Sequence, residues 1–186
     1  MSAKQRYDRS DIRRLNAVNV LEQLRVPGVL SRAKIASNLG LTRATVSNIV
    51  AALIASGLVS ETEYMVGGAG RPGLSLELNP RAGCMVAVEI DLDRISIVMA
   101  DFGLGELLSQ SVLVEPDSPA VEVLAAAASL VETAMVQATR SGLRCFGVCV
   151  AWAGLVRRDA GELAYGPTSG WRDVGVKAEW EARFKV

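Results

Sequence analysis

The 186-residue sequence has no histidine, only three cysteines, and few aromatic residues, which make up 5% of the chain. Without histidine the protein has no imidazole to act as a metal ligand or as an acid–base catalyst near neutral pH. Cys145 and Cys149 lie in an apolar alternating run, where a small buried thiol is expected rather than a metal ligand or a disulfide. The cysteine usage therefore predicts a reducing compartment and no metal site.

The sequence also lacks a hydrophobic leader. Its N-terminal segment, MSAKQRYDRSDIRR, contains no apolar run of the kind that signal peptides require. The Ala-rich stretch 120–139 is interrupted by Glu122, Ser129 and Glu132, so no uninterrupted run is expected to span a bilayer. These absences predict a soluble cytoplasmic protein with no membrane partner.

The formal net charge of zero hides an uneven distribution along the chain. Residues 1–81 contain eleven Lys and Arg against six Asp and Glu, whereas residues 82–186 contain nine against fourteen. Clustered positive charge supplies the sequence-independent part of DNA affinity through the release of counterions. Since such a cluster is more often an ordinary solvated surface, it supports a DNA partner only together with a motif.

Residues 31–59, SRAKIASNLGLTRATVSNIVAALIASGLV, have the pattern of two helices joined by a tight turn. Ser31 is a suitable N-cap for the first helix, and Gly40 ends it because glycine adopts the left-handed conformation readily. Thr42 caps the second helix and Gly57 stops it. The positions predicted to face inward are Ala33, Ile35, Ala36 and Leu39 in the first helix, and Val46, Ile49, Val50, Leu53 and Ile54 in the second.

The opposite face of the second helix has short or hydrogen-bonding side chains, one cation and no acidic group. A helix N-terminus with such a face approaches phosphates through its N–H groups and contacts base edges through its side chains. An ordinary helical hairpin with a solvated face is the alternative, because the motif is short and degenerate. The predicted DNA-binding residues are Ser31, Arg32, Thr42, Arg43, Ala44, Thr45, Ser47, Asn48 and Arg71.

The flanking segments favour DNA binding over a plain hairpin. Residues 58–63 and 74–78 alternate apolar and polar side chains around a glycine-rich tip, as in the wing of a winged helix domain. Arg71 at this tip is predicted to enter a narrow minor groove, where A·T-rich DNA is most negative. Residues 11–24 predict a preceding helix with one apolar face, formed by Ile12, Leu15, Val18, Leu21 and Leu24.

The second half of the chain is dominated by strand patterns. Three antiparallel strands, a long Ala-rich helix and a returning buried strand are predicted, which together make a ribonuclease-H-like α/β layer. The predicted strands are 85–90, 94–101, 106–115 and 143–151, and the predicted helix is about 120–139.

These features resemble the ROK family of repressors and sugar kinases over nearly the whole chain. The matching positions are Ser31-Arg32, Ile35-Ala36, Gly40-Leu41-Thr42, Thr45-Val46-Ser47, Gly70-Arg71-Pro72, Phe146-Gly147-Val148, Ala153-Gly154-Leu155-Val156 and Gly170-Trp171-Arg172-Asp173-Val174. The predicted fold class is α+β with two domains. Residues 1–79 form a winged helix-turn-helix, and residues 80–186 form part of a ribonuclease-H-like, actin-like lobe.

The sequence departs from the kinases of this family at their phosphate loop. Their Asp-x-Gly-Gly-Thr motif is replaced by residues 89–94, EIDLDR, in which both glycines are missing. Asp91 and Leu92 would place side chains where the backbone must approach a phosphate, and Asp91 and Asp93 would repel the nucleotide. We therefore predict a plain hairpin turn, no cofactor, no catalytic residues and no enzymatic activity.

The chain ends at Val186, before the segment that carries the sugar and zinc contacts in relatives. The resemblance therefore implies an incomplete sugar pocket and no metal site. Gly154 and Thr168 are the candidate ligand-binding residues, since Thr168 replaces an asparagine that contacts sugar in relatives. A plain turn residue is the alternative for Thr168.

The resemblance implies a sugar-responsive transcriptional regulator that binds double-stranded DNA and represses genes of sugar uptake or metabolism. For the complete protein it also implies a sugar or sugar phosphate as effector, and a homo-oligomer. Two alternatives stay open: a ROK-type sugar kinase relative, and a truncated fragment that keeps only residual DNA binding.

Overall fold

The structure is a computed structural model of the chain, and it describes residues 8–26, 28, 30–64 and 73–186. Contacts between Cα atoms divide the chain into two units, Met1–Asn79 and Pro80–Val186. Each has its own hydrophobic core. They are called the first unit and the second unit below.

The first unit combines three helices with a two-stranded antiparallel sheet. Its elements are α1 (Arg9–Leu24), α2 (Arg32–Leu39), α3 (Arg43–Ala55), β1 (Val59–Tyr64) and β2 (Gly73–Leu78). The chain bends by 120° between α2 and α3, an angle typical of helix-turn-helix motifs. β1 and β2 pair in register from Val59 opposite Leu78 to Tyr64 opposite Gly73, so the predicted wing hairpin is confirmed.

A reciprocal cap begins α1. The carboxylate of Asp8 accepts the N–H of Ser10 at 2.7 Å and that of Asp11 at 2.8 Å, while the Asp11 carboxylate accepts the N–H of Asp8 at 3.1 Å. The hydrogen bonds from Asp11 and Ser10 stabilise the charged form and lower the pKa of the Asp8 carboxyl below its usual value. The helix therefore begins two residues before the predicted start at residue 11.

The ends of α2 and α3 are formed by the residues predicted for them. Ser31 Oγ accepts the N–H of Lys34 at 3.3 Å, and Gly40 ends α2 in the left-handed conformation with φ of 64°. Thr42 Oγ1 caps α3. Gly57, just past α3, has φ of 75°, which a residue with a Cβ adopts only under strain.

The core of the first unit lies where the three helices meet β1 and β2. The inward face predicted for α3 is confirmed, with Ile54 half-buried and the other four positions buried. In α2, Ile35 and Ala36 are buried and Leu39 packs partly against the core, but Ala33 is exposed and its prediction is wrong. Ala33 lies about 160° around the helix from Ile35, because successive residues turn by about 100°.

α1 turns only part of the predicted face to the core, since Leu21 and Leu24 pack partly against it. Val20 is completely buried. By contrast, Ile12, Leu15 and Val18 are 50%, 52% and 47% exposed, so their assignment to the core is wrong. Apolar residues surround most of the circumference of α1, and the buried face is therefore selected by contacts with α2 and α3 rather than by periodicity.

The second unit is built on a four-stranded sheet with strand order β5-β4-β3-β6. Its strands are β3 (Cys84–Ile90), β4 (Arg94–Asp101), β5 (Glu106–Leu113) and β6 (Cys145–Trp152), with α4 (Ala120–Arg140) between the last two. β3, β4 and β5 are antiparallel, and β6 returns parallel to β3. The predicted order of strands and helix is confirmed.

α4 covers one face of this sheet. Its buried side chains are Val123, Ala127, Ala128, Val131, Ala134 and Ala138. By length and composition alone α4 is apolar enough to cross a membrane, despite the interruptions that led to the opposite expectation. Its small buried alanines allow close packing on the sheet and also raise its hydropathy, so a core helix meets the same criterion.

A second, three-stranded sheet was not predicted. It is formed by β7 (Leu155–Arg157), β8 (Glu162–Tyr165) and β9 (Arg172–Gly175), in that order and antiparallel, and it precedes α5 (Lys177–Phe184). Arg157 donates to Glu162 and, at 2.8 Å, to Asp173, so one guanidinium links the three strands. The hydrogen bond from Arg157 holds the pKa of the Asp173 carboxyl below its usual value.

The three cysteines differ in burial. Cys84 is buried, Cys145 is half-buried and Cys149 is exposed, so the expectation of a buried thiol is wrong for Cys149. β6 is an edge strand with part of its surface open to solvent. Burial, with a smaller effect of neighbouring Cys145, raises the pKa of the Cys84 thiol to about 11, which makes it unreactive at neutral pH.

We expect Thr42→Ala to destabilise α3, because it removes the side-chain acceptor for the Thr45 N–H. The expected loss of unfolding free energy is about 1 kcal/mol, and Thr42→Ser should restore most of it. Hydrogen exchange of the α3 amides measures this directly. Equal exchange in wild type and Thr42→Ala would show that the cap does not hold the helix.

Candidate nucleic-acid interface

The outward face of α3 brings together most of the residues predicted to contact DNA. Arg43, Ala44 and Asn48 are exposed, and Thr45 and Ser47 are half-buried. The opposite face of α3 is held in the core, so this face is presented outward. It carries no acidic side chain, and it therefore meets a polyanion without repulsion from its own residues.

Two threonines organise the first turn of α3. Thr42 Oγ1 accepts the N–H of Thr45 at 3.1 Å, and the two hydroxyl oxygens lie 2.8 Å apart. One hydroxyl hydrogen is used between them, which leaves the other free for an outside acceptor. Thr42 is thus a structural cap, and the pair as a whole keeps one donor for a phosphate or a base.

Of the residues predicted in α2 and its cap, Arg32 is engaged within the protein. Its Nε and Nη2 lie 3.0 Å and 2.9 Å from Oε1 of Glu61 on β1. The side chains are 35% and 27% exposed, so the pair lies at the surface. This ion pair ties α2 to the wing strand, a connection that the sequence analysis did not predict.

A cleft of about 760 Å³ runs between the first half of α1 and α3, and its lining includes the core residues Ile49 and Leu53. Thr45 and Asn48 line one side, and Ser10, Arg13 and Arg14 line the other. Two cations of α1 therefore border the same groove as the predicted base-contacting residues. Arg13 and Arg14 were not predicted at this site, because their distance from α3 depends on how the helices pack.

Arg71, predicted for the wing tip, lies outside the described residues, which omit 65–72. Its contact with the minor groove stays a prediction.

Of the two candidate ligand residues of the second unit, Thr168 lines a small cavity and Gly154 does not. About 30 Å³ is enclosed between Asp91, Trp152, Thr168 and Trp171, enough for about one water molecule. The Nε1–H of Trp152 is buried without a partner among the described residues. Thr168 itself is exposed. These residues do not enclose a space that a sugar could occupy.

Close packing explains why residue 154 is a glycine. A Cβ at this position would lie 2.6 Å from the carbonyl oxygen of Tyr165 and 2.7 Å from Cδ1 of Leu163. Such distances are shorter than van der Waals contact, so the close approach of β7 to β8 requires a glycine. The turn between β3 and β4 is a plain hairpin, as predicted: the Asp91 N–H donates to the Arg94 carbonyl at 2.9 Å.

Neither a metal cluster nor a free phosphate-binding turn is found among the described residues. Across the described ranges, no group of three or more Cys, Asp or Glu side chains is placed to hold a metal ion. In the β3–β4 turn the Asp91 carboxylate accepts the N–H of Leu92 at 2.8 Å, so this backbone donor is already occupied.

Known proteins match this chain along nearly its whole length, although no family model does. The xylose repressor of Bacillus subtilis strain 168 is 28% identical over 181 residues, which cover 96% of this chain and 46% of the repressor. The DNA-binding transcriptional dual regulator NagC of Escherichia coli strain K12 is 27% identical over 184 residues, which cover 94% and 43%. The chain thus spans less than half the length of these curated relatives.

The fold also matches a solved structure. A crystal structure described as a ROK family transcriptional regulator, homolog of the E. coli MLC protein, covers 94% of this chain with a TM-score of 0.71 and 20% identity, and 44% of that structure is matched. The predicted fold class, a winged helix-turn-helix followed by part of an actin-like lobe, is thereby confirmed.

We expect Gly154→Ala to destabilise the second unit by about 1–3 kcal/mol, the usual cost of overpacking. All three tryptophans, Trp152, Trp171 and Trp180, lie in the second unit, so urea unfolding followed by tryptophan fluorescence reports on it. Gly147→Ala is the matched control, because a Cβ there meets no atom within 4 Å. Equal effects of the two variants would contradict the steric explanation.

Proposed function

We propose that this chain is a sequence-specific DNA-binding regulator, a repressor of genes for sugar uptake or metabolism, because it is similar in sequence to curated transcriptional regulators and in fold to a ROK family transcriptional regulator. Its partner is double-stranded DNA in the cytoplasm. The observation that carries the proposal is the outward face of α3, which is free of acidic residues and bordered by cations of α1. The names of the matched repressors support the regulatory role.

In the proposed complex, α3 lies in the major groove with its N-terminal turn toward the DNA. Arg43, Thr45 and Asn48 reach base edges, and Ser31, Ala44 and Ser47 lie close to the backbone. Asn48 suits adenine, whose N6 and N7 an amide contacts in a bidentate manner. Arg13 neutralises a flanking phosphate, and Arg71 reaches the neighbouring minor groove.

We propose no enzymatic activity for the chain. Asp91 and Leu92 occupy the turn where the kinases of the family approach a phosphate through backbone alone, and the Leu92 N–H is bonded to Asp91. A carboxylate in that position repels a nucleotide.

The response to a sugar or sugar phosphate is proposed for the complete regulator, together with a homo-oligomer. The cavity beside Thr168 holds about one water molecule, so an effector site needs more than the described residues. Thr168 borders this cavity, whereas Gly154 does not line it.

The proposal is tested by gel retardation with a duplex selected from genomic fragments, at several salt concentrations. Asn48→Ala should lose about 1–3 kcal/mol of binding free energy on the selected duplex and relax the preference at one base position. Arg13→Ala should weaken binding to the same extent on all duplexes. It should also reduce the slope of log affinity against log salt concentration by about one.

Arg140→Ala is the control, because it removes the same charge from the exposed end of α4 in the second unit. It should leave DNA binding unchanged. Failure of the wild-type chain to retard any duplex in a salt-dependent way would overturn the proposed function.

The role of Arg32 is tested separately by Glu61→Gln, which removes its partner. If the released guanidinium reaches a phosphate, DNA affinity rises. The slope of log affinity against log salt concentration then becomes steeper by about one. An unchanged salt dependence would show that Arg32 only ties α2 to β1.

A further inference from the structure

The cleft between α1 and α3, called the α1–α3 cleft below, has an apolar lining that the proposed DNA contacts do not use. Those contacts involve Thr45 and Asn48 on one side and Arg13 on the other. The volume of about 760 Å³ lies within the range of small-molecule sites, roughly 300–1,000 Å³. The cleft is therefore large enough to hold an organic ligand. The apolar residues that line it are Ile12, Ala17, Ile49, Ala52 and Leu53.

The apolar lining follows from the spacing of residues on α3. Ile49, Ala52 and Leu53 are three or four positions apart, so they lie on one face of the helix, and this face borders the cleft. Ile49 and Leu53 are each 7% exposed, whereas Ile12 on α1 is 50% exposed. An apolar ligand would remove Ile12 and the exposed Ala52 from water, which favours binding in proportion to the apolar area covered.

The charge around the cleft favours an anion. Arg13 and Arg14 both line it, and none of the described residues that line it is acidic. Neither arginine forms an ion pair within the part of the chain that the structure describes. A guanidinium binds an oxyanion strongly, because its planar N–H donors can be used in pairs. The α1–α3 cleft therefore combines an apolar surface with unpaired positive charge.

We propose that the α1–α3 cleft binds a small amphipathic anion. The apolar body of this ligand packs on the five apolar lining residues, and its single anionic group, a carboxylate or a close equivalent, is held by Arg13 and Arg14. A sugar does not suit this cleft, because the apolar residues offer its hydroxyl groups no side-chain partner, and burying an unpaired hydroxyl is unfavourable. A neutral apolar compound would leave both arginines unpaired.

Binding of such an anion regulates the proposed interface with DNA. The bound ligand lies beside Thr45 and Asn48 and neutralises Arg13, so ligand and duplex compete for the same groups. This competition rests on the proposed function, whereas binding of the anion itself does not. The site is separate from the response to a sugar, which is proposed for the complete regulator.

Fluorescence titration of the full chain with anilinonaphthalene sulfonate, an aromatic dye with one negative charge, tests the position of the site. Ala52→Leu fills part of the cleft and should weaken binding of the dye about tenfold. Ala51→Leu is the matched control, because Ala51 is also exposed on α3 but does not line the cleft. Alanine and leucine are both strong helix formers, so both variants keep α3. Equal affinities of the two variants, or no binding by the wild-type chain, would overturn the proposal.

A neutral dye tests the role of the charge. Phenylnaphthylamine has the aromatic body of anilinonaphthalene sulfonate but lacks the sulfonate. The double variant Arg13→Gln/Arg14→Gln should weaken binding of the sulfonate about tenfold and leave binding of the neutral dye unchanged. Equal loss of both dyes would show that the two arginines only maintain the shape of the cleft, and would overturn the assignment to an anion.

Gel retardation tests the competition. Excess anilinonaphthalene sulfonate should release a bound duplex from the wild-type chain but not from Ala52→Leu. Release from both proteins alike, or from neither, would overturn competition at the α1–α3 cleft. If the wild-type chain retards no duplex, the proposed function fails, whereas the dye titrations still decide whether the cleft binds an anion.

Discussion

The first unit depends on the packing of α1 and α2 against the apolar face of α3. Val20, Ile35, Val46 and Val50 are completely excluded from solvent at this junction. Burial of such side chains is the main favourable term in folding, and it also leaves α3 one permitted orientation. The face with Arg43 and Asn48 points outward because the opposite face of α3 is buried in the core. The candidate interface is thus a direct consequence of the core.

The two units differ in the kind of recognition they permit. The first unit presents side chains on a convex helix beside an open cleft bordered by cations, which suits a large and charged partner. The second unit encloses a cavity of about 30 Å³ and joins its small sheet through the Arg157 ion pairs. Its described residues serve mainly to build an α/β layer, and its glycine at position 154 is explained by strand packing.

α1 presents three different surfaces. Val20 joins the core, Arg13 borders the cleft beside α3, and Leu15 and Val18 are exposed. A helix of 16 residues offers enough circumference for all three.

The sequence by itself determined the elements of the fold: the caps Ser31 and Thr42, the buried face of α3, and the order of strands around α4. These follow from local chemistry and periodicity, which neighbouring residues carry. Tertiary structure alone decided which face of α1 is buried, that Cys149 is exposed, that Arg32 pairs with Glu61, and that β7, β8 and β9 form a sheet. An apolar residue can be buried on any side of such a helix. Strands of three or four residues are too short to show a clear alternation of apolar and polar residues. Only contacts between residues distant in sequence choose among these arrangements.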